Sequence, residues 1–91
     1  MIKKSVYKIP EGKLVKIELE TVDDKINKIK ITGDFFLYPE EIINKLEKSL
    51  ENRQITKEGL IKHFNNFCNI NKVKCFGING SGLADAILLA K

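Results

Sequence analysis

His63 is the one histidine among the 91 residues, and no other side-chain type has an ordinary pKa so close to neutrality. To act as a general base for a nucleophile it would need a Ser or Cys beside it and a third group to orient the ring. It stands three residues after Leu60 and four before Phe67, at the margin of an apolar helical stripe, which is the setting of a boundary histidine. Cys68 and Cys75 have six residues between them. Structural zinc takes four ligands at tighter spacings such as Cys-x2-Cys. Cys68 closes a helical pattern and Cys75 lies in an apolar run, so both are expected as buried free thiols, with no metal site; a disulfide between them stays geometrically open, but nothing else points to an oxidising compartment. The paired carboxylates Asp23–Asp24 and Glu40–Glu41 fall in a turn and at a helix start, and each pair has a structural explanation there.

Gly77-Ile78-Asn79-Gly80 has the Gly-x-x-Gly form of the loop with which KH domains clamp nucleic-acid backbones. That loop joins two helices, whereas the residues before Gly77 read as extended, and neither middle residue is basic. It also lacks the Gly-Lys-Ser/Thr ending of a phosphate-binding P-loop. Asn79-Gly80 is a strong turn former ahead of a helix. The formal charge of +4 is uneven: residues 1–32 hold eight lysines against five acids, and residues 33–91 hold eight Lys or Arg against seven. Interleaving with Glu and Asp makes these lysines a solvated face. A nucleic-acid reader more often clusters arginine with exposed aromatics. A small nucleic-acid-binding module using the lysine-rich face is therefore the alternative expectation rather than the first.

The elements that must position these groups follow from periodicity. Ser5–Ile9 reads as a short strand stopped by Pro10-Glu11-Gly12, with Pro10 at the second turn position and Gly12 free to take positive φ. Residues 14–20 alternate cleanly, with Val15, Ile17 and Leu19 on one face. After a polar turn at 21–25, residues 26–32 form a third strand with Ile29 and Ile31 facing inward. Pro39 suits a first helical position, and Ile42, Ile43, Leu46 and Leu50 then recur at helical spacing through residue 50. Thr56 is expected to cap a second helix carrying Leu60, Ile61, Phe64 and Phe67. Ser81 is expected to cap a third, with Leu83, Ala86, Ile87 and Ala90 on one stripe. Val73–Phe76 reads as a short extended piece between the last two. The expected fold is α+β: a three-stranded antiparallel meander followed by about three helices packed on one face, in a single domain over residues 1–91. The 43% apolar and 31% charged content is that of a globular domain. A chain this short hardly has room for an enclosed cofactor pocket of about 300 Å³ or more. No apolar run approaches the roughly 18 residues of a membrane span. No secretory signal core follows Met1-Ile2-Lys3-Lys4, so the expected location is cytoplasmic.

The densest unexplained stretch is Gly33-Asp34-Phe35-Phe36-Leu37-Tyr38-Pro39-Glu40-Glu41. Either Phe35 and Leu37 enter the core while Phe36 and Tyr38 shield a sheet edge, or some of these side chains stay exposed as anchors for a partner. The residues alone leave both open. Together with Tyr7-Lys8-Ile9-Pro10-Glu11-Gly12-Lys13-Leu14, this stretch resembles the accessory C-terminal domain of lipoate–protein ligases. That family shows a Lys-x-Pro-Gly-Gly-Lys-Leu turn, then a strand ending in Ile-x-Gly-Asp-Phe-Phe, then Pro-Glu opening a helix. Lys8, Pro10, Gly12, Lys13, Leu14, Ile31, Gly33, Asp34, Phe35, Phe36, Pro39 and Glu40 match at the same spacing. Glu11 departs, standing where the pattern usually has Gly. The match is strong over residues 7–43 and general over the helical remainder.

The resemblance implies a non-catalytic subunit. Its partner would be a large ligase chain, because nothing here resembles the family's catalytic domain and the sequence opens on its own Met1. Such a two-chain ligase occurs in some archaea. ATP, Mg and lipoate are expected in the large subunit and none in this chain alone; lipoyl-domain proteins are the indirect partners. The residues expected at the interface, or at closure of the active site, are Lys8, Pro10, Gly12, Lys13, Gly33, Asp34, Phe35, Phe36 and Tyr38. Among them Lys13 either approaches an anionic site or acidic partner surface or is one more solvated lysine, and Gly33 and Asp34 set turn geometry. A carrier or scaffold domain of sulfur metabolism, the further alternative, would require a reactive exposed cysteine.

Overall fold

In the computed structural model, which describes residues 2–91, the alternating segments pair as their patterns require. Strands β1 (Lys3–Lys8), β2 (Leu14–Val22) and β3 (Lys25–Gly33) form an antiparallel sheet in the order β1-β2-β3. Asp23 and Asp24 make the two-residue connection from β2 to β3, both with positive φ (52° and 62°), as the tightest hairpin turns demand. Between Glu20 and Thr21 the register slips, so Glu20 opposes Lys28 while Thr21 opposes Ile26. This bulge turns Ile26 inward beside Ile29 and Ile31 although 26 and 29 differ by three positions.

The inner face of the sheet is apolar, built from Val15, Ile17, Leu19, Ile26, Ile29 and Ile31. Helices cover it, as a sheet with one dry face requires. Helix α1 (Ile42–Leu50) packs on β3, and α3 (Gly80–Ala90) packs on β1 and β2, with α2 (Lys57–Ile70) against α3. Gly82 lets α3 approach Ile9 at a distance that a Cβ would close. Buried Ser5 donates to the Ala86 carbonyl at 2.7 Å and pins β1 to the same helix. The outer face stays wet, with Lys4, Glu18 and Lys30 in one cross-strand row.

Three local expectations are corrected. Helix α1 starts at Ile42 rather than Pro39: Ile42 and Ile43 donate to the Pro39 and Glu40 carbonyls, three residues back, so residues 39–41 form a turn that precedes the helix. Helix α3 is capped by Asn79 rather than Ser81, its Oδ1 accepting from the Gly82 N–H at 2.7 Å. An Asn two positions earlier takes the cap, leaving Ser81 inside the first turn. Gly12 does not supply the positive φ of the 10–12 turn; Glu11 does, at 60°. Thr56 caps α2 as expected, accepting from the Gly59 N–H at 3.2 Å.

Beyond these, Phe36–Tyr38 is a strand (β4), paired antiparallel with Lys74–Phe76 (β5) in a second, two-stranded sheet. The extended piece before α3 thus has a partner 38 residues upstream, which no local pattern specifies.

A candidate docking surface

The turn between β1 and β2 is held at four points. The Gly12 N–H donates to the Ile9 carbonyl at 2.8 Å, and the Ile9 N–H donates to the Lys13 carbonyl at 3.1 Å. Lys8 extends its ammonium to the Gly12 and Ile9 carbonyls at 2.6 and 3.1 Å, bracing the turn with its own charge. Pro10 fixes φ at the second position. Gly12 is required by contact rather than by φ: a Cβ there would lie 2.9 Å from the Gly77 carbonyl oxygen. The Lys13 N–H donates to that same carbonyl at 2.9 Å, and the Lys13 side chain lies over Gly77, which has φ 81°. The Lys13 side chain is exposed.

Gly33 meets the other side of this turn. Its φ of 148° and the Leu14 carbonyl directly beneath its Cα leave no room for a side chain. The Asp34 N–H then donates to the Leu14 carbonyl at 3.0 Å. Two motifs some twenty residues apart in the chain are thereby joined through Leu14, and the turn is joined to the β5 end through Gly77.

Strand alternation decides where the aromatics go. Leu37 is buried at 4% exposure, and Phe35, just before the strand, is half-buried against the core. Phe36 and Tyr38 point the other way, 43% and 59% exposed. Phe76 opposes Phe36 and is 56% exposed; their ring centroids are 6.0 Å apart and tilted by 48°, a favourable aromatic geometry. Lys74 opposes Tyr38 on the same face. A groove of about 330 Å³ runs beside Phe36, lined by Thr32, Gly33, Phe35, Glu40 and Ile43 among others. Exposed aromatics in contact with one another next to a groove make a surface suited to burial by a second protein.

Of the nine residues expected from the sequence, Pro10, Gly12, Lys13, Gly33 and Asp34 meet around Leu14 and Gly77. Phe36 and Tyr38 form the exposed face, Lys8 braces the turn, and Phe35 turns toward the core. Phe76 and Lys74 were missed. Their signal was the alternation of Lys74-Cys75-Phe76, which mirrors Phe36-Leu37-Tyr38.

The other chemistry-bearing groups lie elsewhere. His63 Nε2 is 2.8 Å from Ser49 Oγ, but that hydroxyl donates its proton to the Leu46 carbonyl at 2.7 Å, so the pair tethers α2 to α1. Burial and the Arg53 charge hold His63 below its usual pKa. Cys68 and Cys75 are free thiols, half-buried rather than fully buried as expected, with sulfurs 3.6 Å apart. Gly77–Gly80 leads from β5 into α3, a strand-to-helix link unlike the helix-to-helix KH loop. Among the described residues no three His, Cys, Asp or Glu side chains converge to hold a metal, and no helix is long and apolar enough to cross a membrane.

Fold and surface together define a small α+β domain that exposes paired aromatics beside a braced turn. The chain belongs to the family described as the C-terminus of bacterial lipoate protein ligases, which matches residues 6–87. It is 38% identical over 61 residues to lipoate-protein ligase A subunit 2 of Thermoplasma acidophilum, a match covering 66% of this chain and 64% of that protein. It also resembles a chain solved in work on an archaeal lipoylation system, a bipartite lipoate protein ligase and its E2 lipoyl domain from Thermoplasma acidophilum. That likeness has a TM-score of 0.79 at 30% identity and covers 96% of this chain and 94% of the other.

Proposed function

We propose that this chain is the accessory subunit of a two-chain lipoate–protein ligase. With the large catalytic chain it is required for ATP-dependent activation of lipoate to lipoyl-adenylate, before transfer to a lysine of lipoyl-domain proteins. The observation that carries this is the joining of the two family motifs, through Leu14 and Gly77, onto the surface that exposes Phe36, Tyr38 and Phe76. The relationship to subunit 2 of an archaeal ligase supports a large chain as the occupant of that surface.

The chemistry divides accordingly. ATP, Mg and lipoate are assigned in this reading to the large chain. Activation releases pyrophosphate, and its developing charge must be met by preorganised donors with water excluded. A domain docked across the mouth of the site orders its loops and closes it without donating a nucleophile. Lys13, on a turn braced at four points, brings a fixed positive charge to the edge of the aromatic face and so to the contact with the large chain. The assembly works in the cytoplasm. The lysines of the outer sheet face interleave with Glu18 and Glu20, which gives no concentrated cationic track for nucleic acid.

The test is lipoate-dependent ATP–pyrophosphate exchange by the large chain, with and without this one. Exchange that appears only with both chains is the expected result. Full exchange by the large chain alone overturns the requirement for activation.

A further inference from the structure

Cys68 stands near the end of α2 and Cys75 in the middle of β5, facing inward opposite Leu37. Their sulfurs are 3.6 Å apart, and the segments that carry them are already tied, the Val73 N–H donating to the Cys68 carbonyl at 2.9 Å. The connection between them is tight: the Asn71 N–H and side-chain amide both donate to the Phe67 carbonyl, at 3.0 and 2.9 Å. Neither cysteine is fully buried, and some exposure is what exchange with a small reagent requires. With no converging metal donors among the described residues, the chemistry left to two touching thiols is thiol–disulfide exchange.

We infer that Cys68 and Cys75 form a redox-active dithiol that exchanges with small organic disulfides, and that closing it clamps β5 to α2. One of the two thiols, as thiolate, attacks one sulfur of the reagent disulfide and displaces the other as a thiolate, which takes up a proton. The second protein thiol then loses its proton as it attacks the mixed disulfide, forming the Cys68–Cys75 bond and releasing the second reagent thiol. Two protein thiols are oxidised by two electrons, and one organic disulfide is reduced to two thiols, which belong to a single molecule when the reagent is a cyclic dithiolane. Burial, and then the hydrogen bond with Cys75, push the Cys68 thiol up to about 12. The reaction is internal to this chain and does not depend on docking to a partner.

The full chain is incubated separately with oxidised glutathione and with lipoamide, its remaining thiols are blocked, and its mass and melting temperature are read. Closure by either reagent supports the inference: a loss of about 2 Da, a cross-linked peptide joining Cys68 to Cys75, reversal by dithiothreitol, and melting raised by on the order of 10 °C. Closure by lipoamide alone makes a dithiolane the natural oxidant, and closure by both makes the site general. Cys68→Ser and Cys75→Ser should each stop at a mixed disulfide on the remaining thiol. No mass change with either reagent, stable single adducts on the wild-type chain, or cross-links only between chains would overturn it.

Discussion

Replacing Glu11 by Gly separates the two ways a turn can depend on its residues. Glu11 holds φ 60° at the third position of a turn closed by the 2.8 Å bond from the Gly12 N–H to the Ile9 carbonyl. A side chain in that left-handed region crowds the following carbonyl and costs about 1–2 kcal/mol. Gly removes the crowding but gives the unfolded chain more freedom, which takes back about 0.5–1 kcal/mol. The Glu11 carboxylate makes no hydrogen bond or ion pair among the described residues, so nothing else is lost. Glu11→Gly should therefore stabilise the chain by about 0.5–1 kcal/mol, raising the melting temperature by roughly 2–8 °C. Gly12→Ala is the counterpart. Its Cβ would sit 2.9 Å from both the Gly77 carbonyl oxygen and Ile9 Cγ2, so overpacking should cost about 1–3 kcal/mol. Thermal melts followed by circular dichroism at one pH read both variants. A lower melting temperature for Glu11→Gly would refute the strain at Glu11, and an unchanged one for Gly12→Ala would refute the close contact at Gly12.

Phe36→Ala should cost the monomer about 1.5–2.5 kcal/mol, half the usual loss for a fully buried Phe, because Phe36 is 43% exposed. Its binding to the large ligase chain should weaken by roughly 30-fold or more; urea denaturation and binding isotherms on the same samples compare the two, and unchanged affinity would remove Phe36 from the interface. Lys13→Ala should leave melting within about 4 °C of wild type, since the side chain is exposed, while slowing pyrophosphate exchange several-fold and reducing its salt dependence; an unchanged exchange rate excludes a role for the charge. His63 is held below its ordinary 6.5, so the unfolded chain binds more protons on the acid side of that value. Its contribution to stability is complete above about pH 6.5 and is lost as pH falls through the folded value. Melting against pH should show this loss, and His63→Gln should flatten the curve between pH 7 and 5.

Much of the fold was legible because the core-forming residues repeat with the period of the element they build. Val15, Ile17 and Leu19 alternate, and Leu60, Phe64 and Phe67 recur every three or four residues; both sets are buried as the pattern requires. The failures lie where backbone bonding rather than side-chain period decides. Pro39 would suit a first helical position, but Ile42 and Ile43 bond to carbonyls only three residues back, so residues 39–41 close a turn and the helix begins at Ile42. Asn79 and Ser81 are both acceptable caps, and only the geometry of the Gly77–Gly80 link chooses between them. Gly12 and Glu11 exchanged roles because the turn packs against Gly77, a residue 65 positions away whose nearness no local rule contains.

The same limit explains why the aromatic stretch could not be assigned from its residues. A run of four large apolar side chains has no period of its own, so its inward and outward members are fixed only when a partner strand fixes the register. Pairing with Lys74–Phe76 does this, sending Leu37 and Cys75 inward and Phe36, Tyr38 and Phe76 outward. A one-residue register slip of β4 would bury Phe36 and Tyr38 and expose Leu37. Leu37 and the half-buried Phe35 hold the stretch to the core, and the bonds to the Leu14 and Gly77 carbonyls hold both strands at the Phe36–Phe76 end of the small sheet. The exposed aromatics are therefore a consequence of specified pairing rather than of a core too small to take them. An apolar surface kept outward by that many fixed bonds is what a domain needs if its work is to be covered by another chain.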